Sequence, residues 1–129
     1  ISTIYALPKE TALFNRKMML EQFQKRLEDK RETLTEIQGS LHQGLERTVE
    51  KNCPKSKTAI TNATTNIEKS LVELDKGMVH LDKLLAMENM DSYMFYFNEM
   101  IEDFIEEGKA MILVIDGLTG LKDMRDECN

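Results

Sequence analysis

Leucine recurs at every seventh position from Leu13 through Leu20, Leu27 and Leu34 to Leu41. An α-helix returns to the same face after two turns, so this spacing predicts one long amphipathic helix with a coiled-coil-like seam. Phe23, Ile37 and Leu45 fill intermediate core positions on the same side. Pro8 suits the first helical position, where a missing N–H costs nothing, so the helix is expected to begin near it and run for roughly forty residues. Exposed pairs such as Glu21–Lys25 support it from outside. A leucine heptad by itself is the mark of a zipper dimer. An intramolecular seam is expected instead, because two further helical segments of similar length follow and need a partner.

Asn52-Cys53-Pro54-Lys55-Ser56 interrupts the pattern, and Pro54 cannot continue a helix interior. A second helix is predicted from about Lys57 to Glu88. Its seam is Ile60, Ile67, Leu74 and Leu81, flanked by Leu71, Met78 and Leu85. Ala63, Ser70 and Gly77 form a narrow line of small residues, which lets a neighbouring helix approach closely. Asn89-Met90-Asp91 is the second turn, with Asp91 as the expected N-cap. A third helix then runs from about Ser92 towards Asp126. Its predicted core row is Phe97, Phe104, Met111 and Leu118, flanked by Met100, Ile101, Ile115 and Leu121. Glu99, Glu102, Asp103 and Glu106 lie largely opposite.

The two cysteines discriminate between layouts. In an up-down-up antiparallel three-helix bundle, the end of the third helix lies beside the turn between the first and second. Cys53 is in that turn and Cys128 is at that end. Two or four long helices would put the thiols at opposite ends. The expected fold is therefore all-α, an up-down-up antiparallel three-helix bundle occupying residues 1–129 as one domain. A Cys53–Cys128 disulfide would close a long loop, for which chain entropy gives roughly 4 kcal/mol; the alternative is two free thiols.

Charge narrows the functions. The net charge is −6, and residues 91–129 alone hold 3 basic and 10 acidic side chains. That excludes the basic face nucleic-acid binding needs and the basic amphipathic helix of a membrane-surface protein. The acidic third reads as a solvated face that keeps a very apolar helix soluble. No apolar run reaches the roughly 18–20 residues of a membrane span. The chain opens at Ile1, as a mature product after signal cleavage would. With the paired cysteines and the sequon Asn62-Ala63-Thr64, an expected glycosylation site at Asn62, this leans to a secreted protein.

Catalytic chemistry is not legible. His42 and His80 sit on different helices without metal-ligand spacing, so both read as solvated surface histidines. Glu102, Asp103, Glu106 and Glu107 have helical spacing but lack the alternating oxygen ligands of a calcium loop, and read as a solvated face. Cys53 has no CxxC partner. No glycine-rich phosphate loop precedes a helix, and Gly117-Leu118-Thr119-Gly120 lies late in a helix, weakening its last turns. The hydroxyls lack a His-based triad. No enzyme activity, cofactor or metal is expected.

The apolar surplus points elsewhere. Nine methionines are present, and Met78, Met87, Met90, Met94 and Met100 cluster around the second turn. Methionine fills irregular space and adapts to varied partners. Tyr93 to Phe97 and Ala110 to Ile115 are apolar at every position, and a helix apolar all round must be covered on more than one side. Met90, Tyr93, Met94, Phe97, Met100, Met111, Ile112 and Ile115 are therefore the candidate residues of an apolar ligand site or a homodimer interface.

Within this stretch, Leu81-Asp82-Lys83-Leu84, Met90-Asp91, Tyr93, Tyr96 and Glu99-Met100 resemble, without gaps, the corresponding segment of the mite group 5 and group 21 allergens. The resemblance covers about a quarter of the chain. It implies a secreted three-helix bundle, often self-associating, reactive with IgE antibody, for which apolar-ligand binding is proposed. It carries no catalytic residues over. Cys53 and Cys128 depart from the family's pattern, marking either a divergent member or a different protein. The functional expectation is a secreted, non-enzymatic binding protein for an apolar small molecule or lipid, or a self-associating one. The rival is a cytokine-like or effector ligand that engages a receptor.

Overall fold

In the computed structural model the chain forms three long helices, α1 (Ser2–Lys51), α2 (Pro54–Ala86) and α3 (Tyr93–Asp123), followed by a short 3-10 turn, Arg125–Cys128. It describes the backbone of residues 2–123 and 125–128 and the side chains of residues 15–119, 127 and 128. No strand occurs among the described residues.

Helix α1 begins earlier than the proline suggests. Its backbone is helical from Ser2 and carries through Pro8. Pro8 is the seventh residue of the helix, past the first turn, so it removes one backbone hydrogen bond there and does not set the boundary. The other end closes with a recognisable device. Asn52 adopts the left-handed conformation with φ 56°, which asparagine tolerates better than most side chains. The N–H of Cys53 then donates to the Thr48 carbonyl at 2.9 Å, and that of Asn52 to the Val49 carbonyl at 3.4 Å. This is the Schellman pattern that satisfies the last carbonyls of a helix.

Pro54 opens α2 in the first helical turn, as its fixed φ favours. After α2, the turn is built differently from the expectation. Asp91 does not cap α3. Its N–H donates to Asn89 Oδ1 at 2.9 Å, and Ser92, with φ 61°, is the residue before the first turn.

Helix α2 packs along both other helices, and α1 reaches α3 through side chains such as Phe23 and Lys30. Between α1 and α2 the partners are Arg16 with Met90 at the turn, Gln24 with Asp82, and Arg31 with Asp75. Between α2 and α3 they are Ser70 with Glu107 and His80 with Asp103, and Ser56 pairs with Glu127 of the 3-10 turn. The Cys53–Cys128 disulfide joins the two ends, with Cα atoms 5.5 Å apart.

The core follows the leucine seam. Leu20, Leu27, Leu34 and Leu41 are buried on α1, and Ile60, Ile67, Leu74, Leu81 and Leu84 on α2. The small-residue line is buried as well, at Ala63, Ser70 and Gly77. Gly77 marks the closest approach. A Cβ there would stand 2.7 Å from Cζ of Phe104, whose ring in turn meets Phe23 edge-to-face at 5.6 Å. Leu13 and Leu121 fall outside the described side chains.

On α3 the buried face differs from the expected row. Tyr93, Met100, Glu107, Ala110 and Val114 are buried, while Phe97, Phe104, Met111 and Leu118 pack against the core from a half-buried flank. Three residues along a helix is a turn of roughly 60° short of a full revolution, so the true face is rotated by about that much. The rotation brings inside the carboxylate of Glu107, which a purely apolar pattern places outside.

Candidate interaction surface and the buried polar centre

All three helices contribute to one polar contact inside the bundle. Glu107 of α3 is only 4% exposed. Its carboxylate accepts from Lys30 Nζ of α1 at 2.8 and 2.9 Å and from the hydroxyl of fully buried Ser70 of α2 at 2.9 Å. The carboxylate thus has a cation and a neutral donor, which is what a buried charge requires. The ammonium of Lys30 keeps access to water, its side chain being 43% exposed.

A second contact lies about one turn back along α3. His80 Nδ1 and Asp103 Oδ2 are 2.6 Å apart and both are largely covered. Tyr96 flanks the imidazole at 6.4 Å between ring centroids, and Lys83 Nζ sits 5.1 Å over the Tyr96 ring. The expected solvated face is therefore two faces. Glu107 and Asp103 point inward to partners on other helices. Glu102 is exposed, and Glu106 bonds Lys109 at 3.0 Å, which holds its carboxyl below the usual carboxylate range. His80 is likewise not a free surface histidine, whereas His42 is exposed. The sequence signals for these pairs were weak. Glu107 is seven residues from both Met100 and Val114, the spacing of a core row, but its partners are 37 and 77 residues distant.

At the other end, α2 lacks a side-chain cap of its own at Cys53. Glu127, held beside it by the disulfide, supplies one. Its carboxylate accepts from the N–H of Lys55 at 3.0 Å and from the N–H and hydroxyl of Ser56, each at 2.8 Å. Partial burial raises the Glu127 pKa. The hydrogen bonds from Lys55 and Ser56, with the charge of Lys55, outweigh it and leave the carboxyl below its usual range. Anions are favoured at a helix N-terminus for the same reason.

The eight candidate apolar residues divide. Tyr93 and Met100 are buried in the core, since they lie on the rotated face that α1 and α2 cover. Tyr93 stacks on Phe97 at 6.0 Å and lies under the Arg16 guanidinium. Phe97 and Met111 are half-buried against the core. Met90, Met94, Ile112 and Ile115 are exposed. The exposed set is larger than expected, because Phe95, Ile101, Ile105 and Leu113 join it. Among the described residues of α3, seven large apolar side chains are between 39% and 61% exposed. Met94, Ile101, Ile105 and Ile112 form a single line along the outer side of the helix. Eighteen residues are five turns, so Met94 and Ile112 project alike, with the two isoleucines within about 20° of them.

A separate concavity lies nearer the α1–α2 turn. Ile37, Leu41, Ile60 and Leu118 floor an open groove of about 490 Å³, with Glu36 and Ser40 on its rim. Gly44 keeps it open, and a Cβ there would be 3.3 Å from Ile60 Cδ1.

Asn62 is exposed, as a glycan acceptor must be. It lies in the regular backbone of α2 rather than in a loop, and the Thr64 hydroxyl of its sequon donates to the Ile60 carbonyl at 2.8 Å. Among the described residues no group of three or more His, Cys, Asp or Glu side chains is placed to hold a metal ion, and no helix is long and apolar enough to cross a membrane. No protein-family model, curated protein or solved structure matches the chain.

Proposed function

We propose that the protein is a secreted, non-enzymatic binding protein that works through the outer face of α3. One observation carries this reading: α3 is closed against α1 and α2 on one side and, among the described residues, still leaves seven large apolar ones open on the other. At roughly 200 Å² for a fully exposed side chain of this size, their fractional exposures amount to on the order of 750 Å². That is above the few hundred Å² of apolar patch a monomer ordinarily shows. Burial under an apolar ligand or partner removes the penalty at roughly 25 cal/mol per Å².

The surrounding chemistry supports the rest. The helix pairings, read in order along the chain, fit an up-down-up antiparallel arrangement. A disulfide is at home in an oxidising compartment. The inward-facing carboxylates of Glu107 and Asp103 are engaged in ties between helices, which favours a structural over a catalytic role. Kinship with the mite group 5 and group 21 allergens, and with it IgE reactivity, stands as part of the proposal on the segment from Leu81 to Met100.

The test is an environment-sensitive apolar dye with fatty-acid competition, alongside native mass spectrometry of the purified protein. Met94→Glu and Ile112→Glu should weaken dye binding or association while helicity is unchanged. Wild type that binds no apolar probe and no protein, with both variants indistinguishable from it, would overturn the reading.

A further inference from the structure

The exposed line on α3 has a symmetry of its own. Met94, Ile101, Ile105 and Ile112 are spaced by seven, four and seven residues, a pattern that reads the same from either end. Two copies of a face pair isologously only when residue i meets j and j meets i. A helix packed antiparallel on its own copy imposes that condition along its length. This line meets it, with Met94 over Ile112 of the other copy and Ile101 over Ile105. We propose that the occupant of α3's outer face is a second copy of this chain, packed antiparallel along it about a two-fold axis level with residue 103. The proposal rests on the reading of that face as the interaction surface and names its partner.

Three further observations agree. The line is about 27 Å long from Met94 to Ile112, a contact of five turns on each side. The open surface, on the order of 750 Å², is close to the about 800 Å² per partner of a stable interface. The flanks also correspond. In such a pair, residues on one edge of a helix meet the same edge of its copy. Phe95 and Leu113 share one edge, eighteen residues apart, so each falls opposite the other. Lys109 and Glu102 lie on that edge too, both exposed, within reach of each other across the axis. On the opposite edge Gly108 has nothing within 4 Å of where a Cβ would be, which allows close approach near the centre. Glu99 and Glu106 lie further round the helix, so the like charges stay at the rim.

Cysteine cross-linking reads both the partner and its direction. Met94→Cys and Ile112→Cys are made separately and oxidised alone and as a mixture. The expected result is a covalent dimer in the mixture and little in either variant alone, because identical positions lie about 27 Å apart in an antiparallel pair. Cross-linking of each variant with itself would indicate a parallel pair and overturn the proposal. In sedimentation equilibrium, Ile101→Glu should raise the dimer dissociation constant by roughly tenfold or more, by burying an unpaired charge. Far-UV circular dichroism of Ile101→Glu controls for its fold, and Lys109→Glu with Glu102→Lys in one chain should retain the dimer that Lys109→Glu alone weakens. Wild type that stays monomeric at high concentration, yet binds an apolar dye lost in Met94→Glu, overturns the second-copy proposal and leaves the broader reading standing. Neither dimer nor dye binding overturns both.

Discussion

Removing Lys30 should harm the fold more than removing the carboxylate it serves. Lys30→Met keeps the apolar stem and deletes the ammonium, leaving the Glu107 carboxyl, 4% exposed, with only the Ser70 hydroxyl as donor. Breaking a buried pair on one side costs about 3–5 kcal/mol when the surviving charge is fully enclosed. Lys30 reaches water, its side chain being 43% exposed, so solvent can partly replace it and a value of about 2–3 kcal/mol is expected. Glu107→Leu removes the charge itself. Lys30 then swings to solvent, and the residual cost is an unpaired Ser70 hydroxyl, about 1–2 kcal/mol, offset by the apolar side chain. Ser70→Ala combined with Glu107→Leu should recover most of that loss, because an apolar replacement of a buried polar network is often neutral. Urea denaturation followed by far-UV circular dichroism at neutral pH gives all the values. Equal losses for Lys30→Met and Glu107→Leu, or a smaller loss for Lys30→Met, would refute the claim that the carboxylate is held desolvated by its partners.

The same contact shows where sequence reading succeeds and where it fails. On α1 and α2 the apolar residues are sparse and regular, so Leu27 or Ile67 can face only one way. Both seams were legible for that reason, and so was the cysteine pairing, which follows from how many long helices separate Cys53 from Cys128. On α3 apolar residues surround the helix from Ala110 to Ile115. Periodicity then has no direction, and the choice of face fell to the aromatic row through Phe104. Burial of Glu107 decided otherwise, since its partners Lys30 and Ser70 come from helices distant in sequence. The left-handed Ser92 was invisible for a different reason. Serine carries no turn signal of glycine's strength, so the neighbouring Asp91 looked the better cap. The existence of surplus apolar surface on α3 was legible, but which residues form it depended on the unseen rotation.

Helix glycines should respond in opposite directions. Gly77→Ala drives a methyl into the Phe104 ring, which Phe23 blocks from retreating, and should cost about 1–3 kcal/mol. Gly39→Ala meets nothing within 4 Å and should stabilise by about 0.5–1 kcal/mol; thermal melts that rank the two the other way contradict the packing. Reducing the Cys53–Cys128 bond should lower the melting temperature by several degrees, since it frees a loop spanning 75 residues; an unchanged midpoint with both thiols alkylated counts against that. Glu127 couples that bond to pH. Its carboxyl is held below the usual range in the folded chain by the Lys55 and Ser56 donors. A group with a depressed folded pKa contributes stability that is fully present above its unfolded value, about 4.3 for Glu, and lost as pH falls through the lowered folded value. Glu127→Gln should therefore be less stable than wild type at neutral pH, with the gap closing in acid. Glu127 reaches the α2 N-terminus because its neighbour Cys128 is bonded to Cys53, so reduction should also shrink the gap. Melts of both proteins, oxidised and reduced, across the acid range form one cycle. A Glu127→Gln deficit of the same size after reduction would show that the cap holds itself in place without the disulfide. A deficit that persists at a pH where the carboxyl is protonated would show that its charge is not what stabilises the helix end.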